Sequence, residues 1–190
     1  MEATKTNQLN KVLKYFLIIF LGSILIAISA KIKIPFYPVP MTMQTFVVLF
    51  LGIAFGSRVA LLTVGLYLIE GIMGFPVFAN SPEKGIGLIY FTGPTMGYLV
   101  GFLLATYIAG IFQYKDIFKE KFLEFFKNYF KLLFAVTFIY ILGLIWLGYL
   151  IGWDKPIFKL GAEPFLLAES FKILLLTIIA GKINKLRNFI

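Results

Sequence analysis

The chain contains no cysteine and no histidine. Without Cys there is no disulfide framework and no thiolate metal site. Without His there is no His-based triad, no haem–His ligation and no ordinary zinc site. Charge is scarce too. Asp, Glu, Lys and Arg make up 14% of the 190 residues, where average soluble domains carry about 25%. The sequence also lacks a G-x-x-x-x-G-K-[ST] phosphate loop, so the chain does not run on ATP by itself. What it has in quantity is apolar surface: 60% hydrophobic residues and a mean hydropathy of +0.91. A soluble globule of this length has too much surface for its volume to hide that content. The expectation is an integral membrane protein. Free cytosolic enzymes and most nucleic-acid modules are thereby excluded, despite a net charge of +9.

A spanning helix needs about 20 mostly apolar residues. The sequence predicts six, at roughly 15–30, 43–55, 59–73, 92–112, 132–151 and 164–180, in a single all-α membrane domain over 1–190. The second and third are short and divided by Gly56-Ser57-Arg58, with Ser57 as a candidate N-cap. They read as an antiparallel pair that does not cross the bilayer fully. The N-terminal run, preceded by Lys11 and Lys14, resembles a signal peptide, but Ile28 at the −3 position before Ala30 is a poor cleavage site. A retained first helix is expected.

Six spans with an inside N-terminus place twelve Lys and Arg on the inner side: Lys5, Lys11, Lys14, Arg58, Lys115, Lys119, Lys121, Lys127, Lys131, Lys182, Lys185 and Arg187. Five, Lys31, Lys33, Lys84, Lys155 and Lys159, fall outside. The positive-inside rule then puts both termini in the cytoplasm, in a multi-pass protein of the cell membrane. The positive charge belongs to topology and anionic headgroups, with no need for nucleic acid. Residues 113–131 interleave Phe118, Phe122, Phe125, Phe126 and Phe130 with lysines. They predict an amphipathic helix in the inner interface, either a lipid-surface connector or a docking surface.

Ionisable residues at membrane depth are costly and point to function. Glu70, Glu169 and Lys172 qualify. Glu169 and Lys172 are three apart and share a helix face. They form either a mutual salt bridge or an acceptor–donor pair offered to a polar ligand. Glu70 either reaches the headgroups or pairs with a neighbouring helix. The first outer loop, 31–43, carries Pro35, Pro38 and Pro40, so it is not helical throughout. With Thr42 and Gln44 at its end it suits a lid or an extended connector. Phe75, Val77 and Phe78 in the next outer loop should fold back over something, and Asn80 brings an amide with donor and acceptor capacity. Gly93-Pro94 opens the fourth helix, where Tyr98 brings a hydroxyl into the bundle. Ser23 and Ala27, four apart, make a small-residue face for close helix approach, within the bundle or with another subunit.

Four motifs occur in order: Val39-Pro40-Met41-Thr42-Met43-Gln44-Thr45, Gly74-Phe75-Pro76-Val77-Phe78-Ala79, Gly93-Pro94-Thr95-Met96-Gly97-Tyr98, and Pro164-Phe165-Leu166 followed by Glu169 and Lys172. Together they resemble the BioY family, the biotin-binding S component of energy-coupling factor (ECF) transporters, over roughly residues 15–182. The resemblance implies a six-helix membrane bundle that captures biotin from outside. It implies a transmembrane coupling subunit and two ATPases as partners, and no cofactor. Carried over, the family's site implicates Gln44, Asn80, Tyr98, Glu169 and Lys172. The first-helix coupling motif falls on Ser23 and Ala27. The sequence departs from the pattern where Glu169 stands for the more usual Asp and Leu167-Ala168 for Pro-Gly. Biotin's ureido ring offers two N–H donors and one carbonyl acceptor. Glu169 suits an N–H, and Lys172 the ureido oxygen or the valerate carboxylate. Phe78, Tyr37 and Phe75 would cover the apolar body. Two rivals remain: an S component for thiamine or riboflavin, and a solitary carrier driven by an ion gradient. An intramembrane enzyme is disfavoured, because no nucleophile–base pair is evident.

Overall fold

A computed structural model describes residues 2–119 and 122–189. The chain is mostly helical. Helix α1 spans Glu2–Lys31, α2 Gln44–Ile72, α3 Met96–Ile111, α4 Leu123–Ile151, α5 Ile157–Gly161 and α6 Leu166–Asn184. A two-stranded antiparallel ribbon, β1 (Lys33–Ile34) and β2 (Met41–Thr42), braces the proline-bearing loop. Among the described residues, four helical stretches are long and apolar enough to cross a membrane, and α3 is a shorter apolar helix.

Helix α2 is two arms. Gly56 sits at φ 76° and ψ 171°, a region essentially restricted to glycine. Beyond it the chain doubles back, for Gln44 at the start of the first arm hydrogen-bonds Tyr67 near the end of the second at 2.8 Å. The break is therefore made by Gly56 rather than by a Ser57 cap. At 1.5 Å per residue the arms 44–55 and 57–72 are about 18 and 24 Å long, short of a hydrocarbon core of about 30 Å. Open space surrounds the position a Gly56 Cβ would take, so a side chain there costs backbone strain alone. Gly56→Ala should lower stability by about 1–3 kcal/mol, read as thermal unfolding in detergent. Wild-type unfolding would mean that the turn tolerates any residue.

The α2 hairpin is the centre of the bundle. Helix α1 packs on one side of it, α3 and then α4 on the other, and α6 closes the ring against α2 and α4. Small residues allow the tightest approaches. A Cβ on Gly97 would lie 2.3 Å from the Leu142 carbonyl oxygen, and one on Gly101 2.6 Å from the Ile139 Cα, so α3 and α4 touch backbone to backbone. The outward faces keep large apolar side chains exposed, among them Phe16, Ile24 and Ile28 on α1, Phe134 and Ile141 on α4, and Phe171 and Leu175 on α6. Such a belt suits acyl chains and would aggregate in water.

The helices run further than the apolar stretches suggest. Helix α1 begins at Glu2 instead of 15, and α4 at Leu123 instead of 132. Backbone hydrogen bonding continues through the interface after hydropathy has stopped reporting it. Residues 113–131 do not form one interfacial helix. Residues 113–116 are irregular and 117–119 form a turn, in which the Phe118 N–H donates to Asp116 Oδ1 at 3.2 Å. This Asx turn competes with a helix. The Asn128 amide holds the Lys115 carbonyl at 2.9 Å, fixing the connector to α4. Phe118, Phe122, Phe126 and Phe130 remain exposed, and Lys121 lies outside the described residues. At the same end Arg187 donates to the Ile53 and Gly52 carbonyls at 2.8 and 3.1 Å, supplying partners that helix ends lack. The Tyr114 phenol caps Ala109 at 3.0 Å, and burial pushes its pKa up.

Candidate functional site

At the opposite end a narrow cavity, partly open to the outside, lies between the start of α2, the start of α3, the middle of α4 and the start of α6. Its walls are mostly apolar and aromatic: Val39, Leu99, Phe102, Ile139, Tyr98, Tyr140 and Phe165. The polar groups are few: Thr42, Gln44, Thr45, Thr95, Tyr90 and Glu169.

Helical spacing puts Glu169 and Lys172 on the face of α6 that meets α2. Both are buried, at 5% and 7% exposure. The Lys172 ammonium donates to Glu169 Oε1 at 2.7 Å, to the Thr42 carbonyl at 2.6 Å and to Thr45 Oγ1 at 3.0 Å. Those three acceptors use all three of its protons. Thr45 Oγ1 in turn donates to Glu169 Oε1 at 2.9 Å. The ion pair is thus stitched to α2 through the residues that follow β2. Glu169 Oε2 is different. It is buried and has no hydrogen-bond partner among the described residues, and Glu169 belongs to the cavity lining. A buried carboxylate oxygen left without a donor is costly, and at a cavity wall it is a ready acceptor.

Gln44 also lines the cavity. Its amide donates to the Tyr67 phenol at 2.8 Å, while its carbonyl oxygen lies 3.2 Å from Thr42 Oγ1. Tyr98 contributes its ring, but its hydroxyl donates to the Gly161 carbonyl at 2.8 Å. Gly143 leaves room for that ring, since a Cβ there would come within 2.4 Å of it. Tyr98 therefore ties α3 to α5 and presents an aromatic face. Asn80 is not in this cavity. It borders an outer chamber with Tyr37, Lys84, Gly93 and Pro94. The two chambers share Tyr90 and Thr95. Asn80 Oδ1 accepts from Lys33 at 3.0 Å. Lys31 holds the Phe78 and Ser81 carbonyls at 2.7 and 2.9 Å. Two lysines at the end of α1 and in β1 thus pin the segment 78–81 over the site. Burial pushes the Tyr90 phenol up, so it is neutral at physiological pH.

The apolar residues of the second outer loop do fold inward. Phe78 is fully buried, stacked on Tyr90 with centroids 4.6 Å apart and met edge-on by Tyr67 and Phe91. Phe75 and Tyr37, by contrast, are 55% and 87% exposed. Sequence reasoning assigned no role to Thr45, Tyr90, Tyr140 or Phe165. A hydroxyl inside an apolar run was the available signal for Tyr140, and the position immediately after Gln44 was the signal for Thr45.

Elsewhere, Ser23 is fully buried and donates to Glu70 Oε1 at 2.8 Å, so these two polar groups answer each other across α1 and α2. Ala27 borders an apolar groove with Phe20, Ile24, Ile28 and Val77.

Comparison with known proteins places this architecture. The BioY family model matches residues 3–189. A probable biotin transporter of Pyrococcus horikoshii is 32% identical over 84% of this chain and 90% of its own length. A biotin transporter of Thermotoga maritima is 34% identical over 85% and 90%. Among solved structures, the S component for biotin from an ECF-type ABC transporter superposes with a TM-score of 0.69 at 24% identity, covering 93% of both chains. This multi-pass membrane protein, built on the fold of an ECF S component, belongs to the BioY family.

Proposed function

We propose that the chain captures biotin from the outer side of the membrane and mediates its uptake. The observation that carries this reading is the partnerless Glu169 Oε2 at the wall of a mostly apolar cavity. It calls for a ligand N–H, and the ureido ring supplies one on a body that is otherwise apolar. The family relatives named for biotin agree. Gln44 completes the polar side of the ring, and Tyr98, Phe102 and Phe165 clasp the thioether ring. Asn80 and Lys84 in the outer chamber receive the valerate end. Lys172 is a positioning residue in this scheme, because its protons are spent on Glu169, Thr42 and Thr45.

The chain has six membrane segments, with the two arms of α2 counted separately as a hairpin too short to cross fully, and both termini lie in the cytoplasm. Import is powered by a coupling membrane subunit and two ATPases. The coupling face is the outward side of α1 around Ala27, backed by the Ser23–Glu70 bond. Labelled biotin should bind the purified chain in detergent and raise its unfolding temperature, whereas thiamine and riboflavin should do neither. Stabilisation by one of those vitamins instead would reassign the ligand. Concentrative uptake by proteoliposomes containing this chain alone would replace the coupled scheme with a solitary carrier.

A further inference from the structure

A third chamber opens on the outside of the bundle between α4 and α6. Leu133, Leu144, Phe158 and Ile173 are among its walls. Its rim includes Thr137 and Ser170, both exposed. It shares two residues with the central cavity, Tyr140 and Glu169. Tyr140 is held from behind by an edge-to-face contact with Tyr98, centroids 6.1 Å apart. Tyr98 is itself pinned through Gly161. The partition between the two chambers is therefore an aromatic ring on a rigid support, standing beside Glu169, whose buried Oε2 has no donor among the described residues.

We infer that Tyr140 is the wall that makes this site reject biotins substituted on a ring nitrogen. The inference rests on the ureido ring facing Glu169, as proposed above. A nitrogen donating to Glu169 Oε2 directs its proton at the boundary between the chambers. A substituent on that nitrogen takes the proton's place at Glu169, and one larger than a methyl reaches past the carboxylate to the adjoining Tyr140 ring. Without the ring the same substituent has the side chamber to occupy. An apolar pocket alone discriminates weakly between ligands differing in apolar bulk. A rigid obstruction is what produces strong rejection.

Loss of the N–H weakens any such derivative, so the wall must be separated from the lost hydrogen bond. Two biotins that differ only in bulk on the same nitrogen, N-methyl and N-benzyl, do this, made at each ring nitrogen in turn. For the full chain in detergent, competition against labelled biotin should rank methyl at least tenfold above benzyl on the nitrogen that faces Glu169. In Tyr140→Ala that ratio should fall to about one, whatever happens to the affinity for biotin itself. Tyr140→Leu, which retains apolar packing on Tyr98, should give an intermediate ratio and serves if the alanine variant does not fold. In Tyr140→Ala, Ser170→Phe should refill the chamber and restore the preference for methyl. A ratio unchanged in both Tyr140 variants, with biotin still bound by the wild type, overturns the wall alone. A wild type that binds no biotin overturns the functional reading and this inference with it.

Discussion

Glu169→Gln should lower biotin affinity by roughly a hundredfold or more. The substitution preserves shape. The remaining carbonyl can still accept from Thr45 and Lys172, which lie 2.9 and 2.7 Å from Oε1 in the wild type. Two things change: the outward atom turns from an acceptor into a donor facing a ligand N–H, and the buried Lys172 loses its counter-charge. A hydrogen bond to a charged group contributes about 1.5–3 kcal/mol, and an unsatisfied buried donor costs about 1–3 kcal/mol more. About 2.8 kcal/mol already corresponds to a hundredfold change. Titration calorimetry on the detergent-purified variant measures it. Affinity near that of the wild type would remove Glu169 from the site.

The same pair separates binding from folding. Lys172→Met leaves the Glu169 carboxylate buried without its partner, and breaking a buried pair from one side costs about 3–5 kcal/mol of stability. The double variant Glu169→Gln with Lys172→Met leaves no buried charge at the pair. Its stability should recover while its binding should not. Two singles whose losses in binding simply add would mean that Lys172 meets the ligand independently of Glu169.

Much of this was legible in the chain itself. Three-residue spacing put Glu169 and Lys172 on one face, and their contact at 2.7 Å follows from it. Gly56-Ser57-Arg58 marked the turn between two short antiparallel arms. Other features were not legible, for physical reasons. Spacing along α6 does not say which of two paired groups is saturated. That depends on Thr42 and Thr45, which lie 124 or more residues away in sequence. Ser23 reads as a small residue open to any neighbour, until Glu70, 47 positions on, takes its proton. Asn80 shares the motif-rich outer region with the cavity residues, but Lys33 draws it to the outer chamber. The Asx turn at Asp116 outweighed the helical periodicity of residues 113–131, because a short interfacial segment has little packing to set against a local hydrogen bond.

Gly71→Ala should uncouple the roof of the site from the helices beneath it. Gly71 is buried near the end of α2, and an added Cβ would lie 1.9 Å from the Phe78 ring. That ring has nowhere to go. It is fully buried, with Tyr67, Tyr90 and Phe91 against it at centroid distances of 5.4, 4.6 and 5.3 Å. Overpacking of this kind costs about 1–3 kcal/mol. The strain is relieved most easily by expelling Phe78, because the segment that carries it is irregular and tied down by side-chain bonds rather than by helical packing. They include the Lys31 contacts to the Phe78 and Ser81 carbonyls, the Lys33 contacts to the Ala79 carbonyl at 2.7 Å and to Asn80 Oδ1 at 3.0 Å, and the Asn80 N–H donating to the Tyr90 phenol at 3.3 Å. Ala79 and Tyr90 both line the cavity, so an outward shift of Phe78 opens the chamber to water. Tyr67 loses its aromatic neighbour, and the Gln44 amide that donates to its phenol loses its orientation. Affinity should then fall by more than tenfold, chiefly through faster release. Far-ultraviolet circular dichroism should stay that of the wild type, because the membrane helices keep their own contacts. Phe78→Leu in the Gly71→Ala background removes the edge of the ring that the new methyl strikes, and it should return part of the affinity. If Gly71→Ala binds and releases biotin as the wild type does, the aromatic cluster is packing alone and the roof must be held by the lysines.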